Sequence, residues 1–260
     1  MSNGMSKCDY FEKLNEIYEK ECFSNGCCVN WHECRKGMCE DGLFFNRAKV
    51  GSKYGNGDYP KVLFVGKEAV TEQHTIKHMP SLDEAHNPHY RGLLYTLARL
   101  YKESPQNWSY ENIKEYQSLL DYCALTNYFK CAFTQTRVAD GEKKSVKHSK
   151  IETNHAMEQN CYNLLFCELD TLTPKFVVIQ GKFYKSKQFY SEVERKYKED
   201  DLKGRCKKGY IQWTKHKYSS GDSFYILWTY HPAAKGAYCW NKVVDDLNAA
   251  IEMLIRSCLF

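Results

Sequence analysis

Four short apolar runs, each ending in a polar tip, constrain the fold of this chain more than any other feature. They are KVLFVGKEA (Lys61 to Ala69), ALTNYFKC (Ala124 to Cys131), PKFVVIQGK (Pro174 to Lys182) and FYILWTYHPA (Phe224 to Ala233). A strand buried on both faces reads as a nearly continuous apolar run, broken only where it reaches the edge of the sheet. The second run is the most polar of the four and stops in the same way. Its tip is Asn127, the last run ends at His231, and the first ends in the Gly66-Lys67-Glu68 turn. Open α/β sheets bind ligands outside the carboxyl ends of their strands, so these tips are the candidate functional residues.

Helical patterns separate the runs. Phe11, Leu14, Ile17 and Tyr18 share a face over residues 9–22. Residues 90–103 read as a helix ended by Pro105, and residues 109–121 as a further helical stretch. Longer helices are expected over 152–171, 182–197 and 239–256. Residues 134–150 read as a polar loop, and 201–222 as a basic segment holding a small hairpin. Strands alternating with helices argue for a parallel sheet covered on both faces. The expected fold is a three-layer α/β/α arrangement with a central four-stranded parallel sheet. Residues 1–58, with a helix and a loop-dominated Cys-rich stretch, form a segment packed on the α/β domain of residues 59–260. Gly66 and Gly181 do not form GxGxxG, so a dinucleotide-binding reading loses support.

Thirteen cysteines and a net charge of +5 narrow the class. No apolar run approaches the length of a membrane helix, and the N-terminus is polar, so a cytoplasmic protein is expected. An odd cysteine count in a reducing compartment argues against a disulfide framework. Cys22, Cys27, Cys28, Cys34 and Cys39 lie close together, which suggests a metal or iron–sulfur site. Basic residues cluster at 143–150 and again at 203–217, including Lys207 and Lys208. In the second cluster Tyr210, Trp213 and Tyr218 are interleaved, a mixture that suits phosphate contact plus base stacking as well as a plain solvated face.

In order and spacing, residues 34–256 resemble the uracil-DNA glycosylase superfamily, and within it the iron–sulfur (family 4-like) branch. The matching segments are VLFVGKEAV, HYRG (His89 to Gly92), LTNYFKC, Cys161 lying 13 residues before Pro174 and its QGK, and HPA. The resemblance implies a DNA glycosylase that flips a nucleotide out of the duplex and hydrolyses its N-glycosidic bond, leaving an abasic site. It implies a [4Fe–4S] cluster held by Cys34, Cys39, Cys131 and Cys161, with Cys28 as the alternative to Cys34. His231 matches the histidine that donates to the base carbonyl as charge builds there. Asn127 matches the reader of the base's polar edge, and Tyr90 the aromatic that stacks on it. Gly66 and Lys67 fall in the base-binding turn. Lys235 and Tyr238 fall in the loop that enters the minor groove.

The first motif departs from the family pattern. Lys67 stands where the family has Glu, and Ala69-Val70 replaces Pro-Gly. Glu68 is therefore the candidate water activator, with Glu72 behind it. The remodelled turn keeps the target open between uracil and a modified cytosine of the kind found in phage DNA, and hence between repair and antiviral defence. A monomer with DNA as partner and no membrane association is expected. Two other readings remain from the sequence: a catalytically silent nucleic-acid-binding protein of the same fold, and a zinc-stabilised interaction domain.

Overall fold

The computed structural model describes residues 7–22, 43–45, 47–66, 88–128, 130–133, 136–139, 142–145, 155–181, 187–205, 211–232 and 240–258. The protein is α/β. In chain order it runs α1 (Lys7–Cys22), β1 (Leu43–Phe45), β2 (Lys49–Val50), β3 (Val62–Gly66), α2 (Pro88–Leu100), α3 (Tyr110–Ile113), β4 (Cys123–Asn127), β5 (Cys131–Phe133), β6 (Thr136–Ala139), β7 (Glu142–Ser145), α4 (His155–Leu172), β8 (Phe176–Gln180), α5 (Lys187–Lys196), β9 (Lys198–Arg205), β10 (Gln212–Lys217), β11 (Ser223–Thr229) and α6 (Trp240–Ser257).

A seven-stranded mixed sheet has the order β2-β4-β3-β8-β11-β10-β9. The four strands expected from the apolar runs are its middle: β4, β3, β8 and β11 pair side by side in parallel. The expectation of a sheet made only of those four is corrected at both edges. β2 adds antiparallel to β4, and β10 and β9 add antiparallel beyond β11. The reason is compositional. β2 spans only two residues, and β9 reads KEDDLKGR, too charged to stand out as a strand. An edge strand needs only one covered face and is commonly charged. The polar loop expected over 134–150 is in part a hairpin of β6 and β7.

Alternation along the central strands divides the core in two. Leu63, Val65, Ala124, Val177, Ile179, Ile226 and Trp228 pack with side chains of α1, α4 and α5. Val62, Phe64, Cys123, Leu125, Phe176, Val178, Tyr225 and Leu227 pack with those of α2 and α6. On α1 the buried face is Tyr10, Leu14 and Tyr18, whereas Phe11, expected inside, is exposed. Helix α2 opens with Pro88 at its first position, where the missing N–H is no loss. It closes before Pro105, through a Schellman arrangement: Lys102 sits at φ 64°, Glu103 N–H donates to Ala98 O, and Lys102 N–H donates to Arg99 O.

Under the tip of β4 lies an ion pair closed off from water. Lys130 and Glu168 are 1% and 0% exposed, with Nζ 2.5 Å from Oε2. Thr126 Oγ1 donates to the same carboxylate oxygen at 2.8 Å and accepts from Lys130 Nζ. Tyr18 OH donates to Glu168 Oε1 at 2.6 Å and accepts from the Ala48 amide. One carboxylate thus joins α4, α1, β4 and the chain just before β5. Removing one partner of such a pair strands the other charge in an apolar interior.

Glu168→Leu is therefore expected to lower unfolding free energy by about 3–5 kcal/mol. The double change Lys130→Met with Glu168→Leu should restore a large part of it. Urea titration of Lys130→Met, Glu168→Leu and the double variant is the measurement. Simple additivity of the two single losses would show that the pair is not coupled.

Candidate functional site at the strand tips

Gly66, Asn127, Gln180 and Thr229 are the last residues of β3, β4, β8 and β11. Gly66 pairs with Asn127 and Gln180 with Thr229 across the parallel ladder. Strand alternation places all four on the face of Phe64, Leu125, Val178 and Leu227, which is the face covered by α2 and α6. This makes a polar row along the carboxyl edge of an otherwise apolar layer. A Cβ placed on Gly66 would lie 2.5 Å from Asn127 Oδ1, so glycine leaves the gap that the carboxamide occupies. Asn127 itself is 6% exposed.

His231 stands one residue beyond Tyr230 at the end of β11 and is fixed from four sides. Its ring stacks on that of His89 in the first turn of α2, with centroids 5.0 Å apart and planes 14° from parallel. Its Cβ faces Gly181, which adopts φ 107°, a conformation that a side chain would strain. The Tyr230 carbonyl accepts a hydrogen bond from Trp240 Nε1 at 3.1 Å, tying the turn to α6. The following residue, Pro232, packs on Gly92 so closely that a Cβ there would lie 2.5 Å from Pro232 Cβ. HYRG and HPA are thus two halves of one contact. Burial lowers the pKa of His231 below the ordinary histidine value. Desolvation penalises the imidazolium, so the ring is held neutral, with an N–H to donate.

Tyr90 lies in the same helical turn as His89, half-buried, with the two rings edge to face at 5.3 Å. The structure therefore brings Gly66, Asn127, Tyr90 and His231 to one end of the sheet. Lys67, Glu68, Lys235, Tyr238, Lys207 and Lys208 lie outside the described residues, as do Cys34 and Cys39. The stacking role read into Trp213 and Tyr218 is corrected. Both are buried, Trp213 against Tyr225 and Tyr218 stacked on Phe224, because their strand is part of the main sheet.

Of the expected cluster ligands, Cys161 is buried on α4 and Cys131 opens β5. The amide of Lys130, the residue before Cys131, donates to Cys161 Sγ at 3.5 Å. The chain thus brings these two cysteine positions next to each other, and an N–H directed at sulfur suits a thiolate ligand. No group of three or more metal-ligating side chains occurs among the described residues.

Reading the sequence alone misses His89, Gln180 and Thr229. Only Gln180 carries a signal there, as a polar residue ending the run FVVIQ. A separate cavity of about 360 Å³, lined by Tyr59, Leu100, Tyr101, Lys175, Phe176 and Ile255, opens at the amino ends of the strands. It lies at the opposite pole from His231, away from the polar row. In comparison with known proteins, the chain matches no family model and no curated protein.

Gly92→Ala is expected to destabilise the fold by about 1–3 kcal/mol, the usual range for an overpacked core. Because Pro232 must move, His231 should move with it. Thermal denaturation and the His231 ring resonances report the two effects. A variant with unchanged stability and an unchanged histidine spectrum would refute the contact.

Proposed function

We propose that the protein is a monofunctional DNA glycosylase with the three-layer architecture of the uracil-DNA glycosylases. It excises uracil or a modified pyrimidine. The observation that carries this reading is the convergence of Gly66, Asn127, Tyr90 and His231 at one sheet edge, in the order the motif resemblance implies. The central strand order β4-β3-β8-β11 and the helix side chains packed against both faces support it.

In this reading the target nucleotide leaves the stack and enters the strand-tip site. Tyr90 lies against the base, and Asn127 pairs with its polar edge. Water attacks the anomeric carbon, with Glu68 taking its proton. The bond from that carbon to the base nitrogen breaks, and its electron pair stays with the base. The neutral His231 ring donates its N–H to a base carbonyl oxygen as negative charge accumulates there. A donor fixed in advance at a developing oxyanion is among the strongest single contributions to such reactions. Lys67 lines the same turn. Lys235 and Tyr238, just past HPA, contact the duplex, and Lys207 and Lys208 contact phosphates. Cys34, Cys39, Cys131 and Cys161 would hold a [4Fe–4S] cluster whose part is to order the Cys-rich segment.

His231→Ala should lower the single-turnover excision rate by about 10²–10³, the range for losing one preorganised donor. Duplex affinity should change little, since phosphate contacts dominate binding. With His231 held neutral by burial, the wild-type rate should show no inflection near pH 6.5, the ordinary histidine value. The assay is release of base from duplexes carrying uracil and a series of modified cytosines, followed by alkaline cleavage. Release from none of them would leave a silent DNA-binding protein as the surviving reading.

Protein purified without chelators should contain close to four irons per chain and lose them in Cys161→Ser. Iron and zinc analysis decides the point, and stoichiometric zinc would replace the cluster by a zinc site.

A further inference from the structure

The polar row contains one side chain whose chemistry nothing above employs. Gln180 is 1% exposed at the end of β8, the central strand of the row, and its Nε2 has no hydrogen-bond partner among the described residues. A buried amide donor without an acceptor is a standing destabilisation, and such groups in a folded protein call for a reason. Its neighbours show why the amide stays unpaired. On one side Gly66 contributes no side chain at all. On the other, Thr229 is occupied, its Oγ1 donating towards the Ile179 and Tyr230 carbonyls. Helix α2 offers this face the Gly92–Pro232 contact and the His89–His231 stack.

We propose that Gln180 is a second reader of the flipped base. Its carboxamide N–H donates to a ring carbonyl or ring nitrogen of the pyrimidine, on the far side of β3 from Asn127, whose own carboxamide lies over Gly66. The two carboxamides stand on strands either side of β3, two strand spacings or roughly 9–10 Å apart at the backbone. Since the Asn127 carboxamide lies over Gly66, a six-membered heterocycle seated beyond the strand ends would meet one amide at each of two edges. A pair of amides at separate edges discriminates by hydrogen-bond pattern, because a base with a donor where Gln180 also donates leaves both groups unpaired. The preferred ligand class is therefore a pyrimidine presenting an acceptor on the edge turned towards β8. This inference rests on the glycosylase reading for its substrate, while the unpaired amide is independent of it.

Gln180→Met keeps the length and removes the amide. Without ligand, the melting temperature of this variant should equal that of the wild type or exceed it by about 2–4 °C, since an unsatisfied buried group has been deleted. Uracil or cytosine as the free base, at millimolar concentration, should raise the melting temperature of the wild type and not that of the variant. Excision from the best duplex in the series should fall at least about tenfold, and the rate ratio between uracil and cytosine-type bases should shift towards unity. A lower melting temperature for the unliganded variant would overturn the proposal, because the amide would then be a structural bond. An equal free-base shift in both proteins would overturn it as well. If the wild type excises nothing, the glycosylase reading fails, and the two thermal measurements still decide whether Gln180 binds a pyrimidine.

Discussion

Everything at the carboxyl edge of the sheet hangs on the buried pair of Lys130 and Glu168. Thr126 and Asn127 are successive residues of β4, so they face opposite sides of the sheet. Thr126 is held from below by the Glu168 carboxylate. Asn127 is thereby set at a fixed height on the other face, beside Gly66. The same carboxylate takes the Tyr18 hydroxyl, which in turn takes the Ala48 amide. A charge pair this dry adds little net stability compared with an apolar replacement. Its effect is geometric: only one placement of α1, α4 and β4 satisfies every partner at once.

The two faces of the sheet divide the labour. The face towards α1, α4 and α5 spends its polar groups on one another, in the Glu168 network. The face towards α2 and α6 holds its polar groups at the rim, in Asn127, Gln180 and Thr229. Thr229 is satisfied there by backbone carbonyls, whereas Gln180 Nε2 has no partner among the described residues, which is unfavourable for a buried group.

The central strands were legible because burial on both faces leaves no polar residue until the tip. Gly66, Asn127 and His231 could be found for that reason alone. The edge strands were harder to read for the converse reason: the hairpin expected over 201–222 matches β9 and β10, but nothing in its charged sequence showed that it joins the main sheet. β9 is as charged as any loop, and β2 is two residues long. Trp213 and Tyr218 sit among lysines in the sequence, yet both are buried, Trp213 in the layer of α2 and α6 and Tyr218, just past β10, in the opposite one, while Lys217 stays exposed. Lys130 is the sharpest case. A lysine in YFKC reads as a surface residue, since its partner lies 38 positions away on a helix. Gln180 ends an apolar run in the sequence, but the absence of a partner is a property of three dimensions.

Helix α2 carries both the seat of Pro232, at Gly92, and the ring beside His231, at His89. Tyr90 lies between them on the same turn. The aromatic proposed to hold the base therefore shares a helical turn with the ring that stacks on the imidazole proposed to donate to it. Sliding this helix outward would part the His89–His231 stack and unseat Pro232. Under the proposed function, a larger base could therefore not be admitted by moving this wall without loosening the histidine.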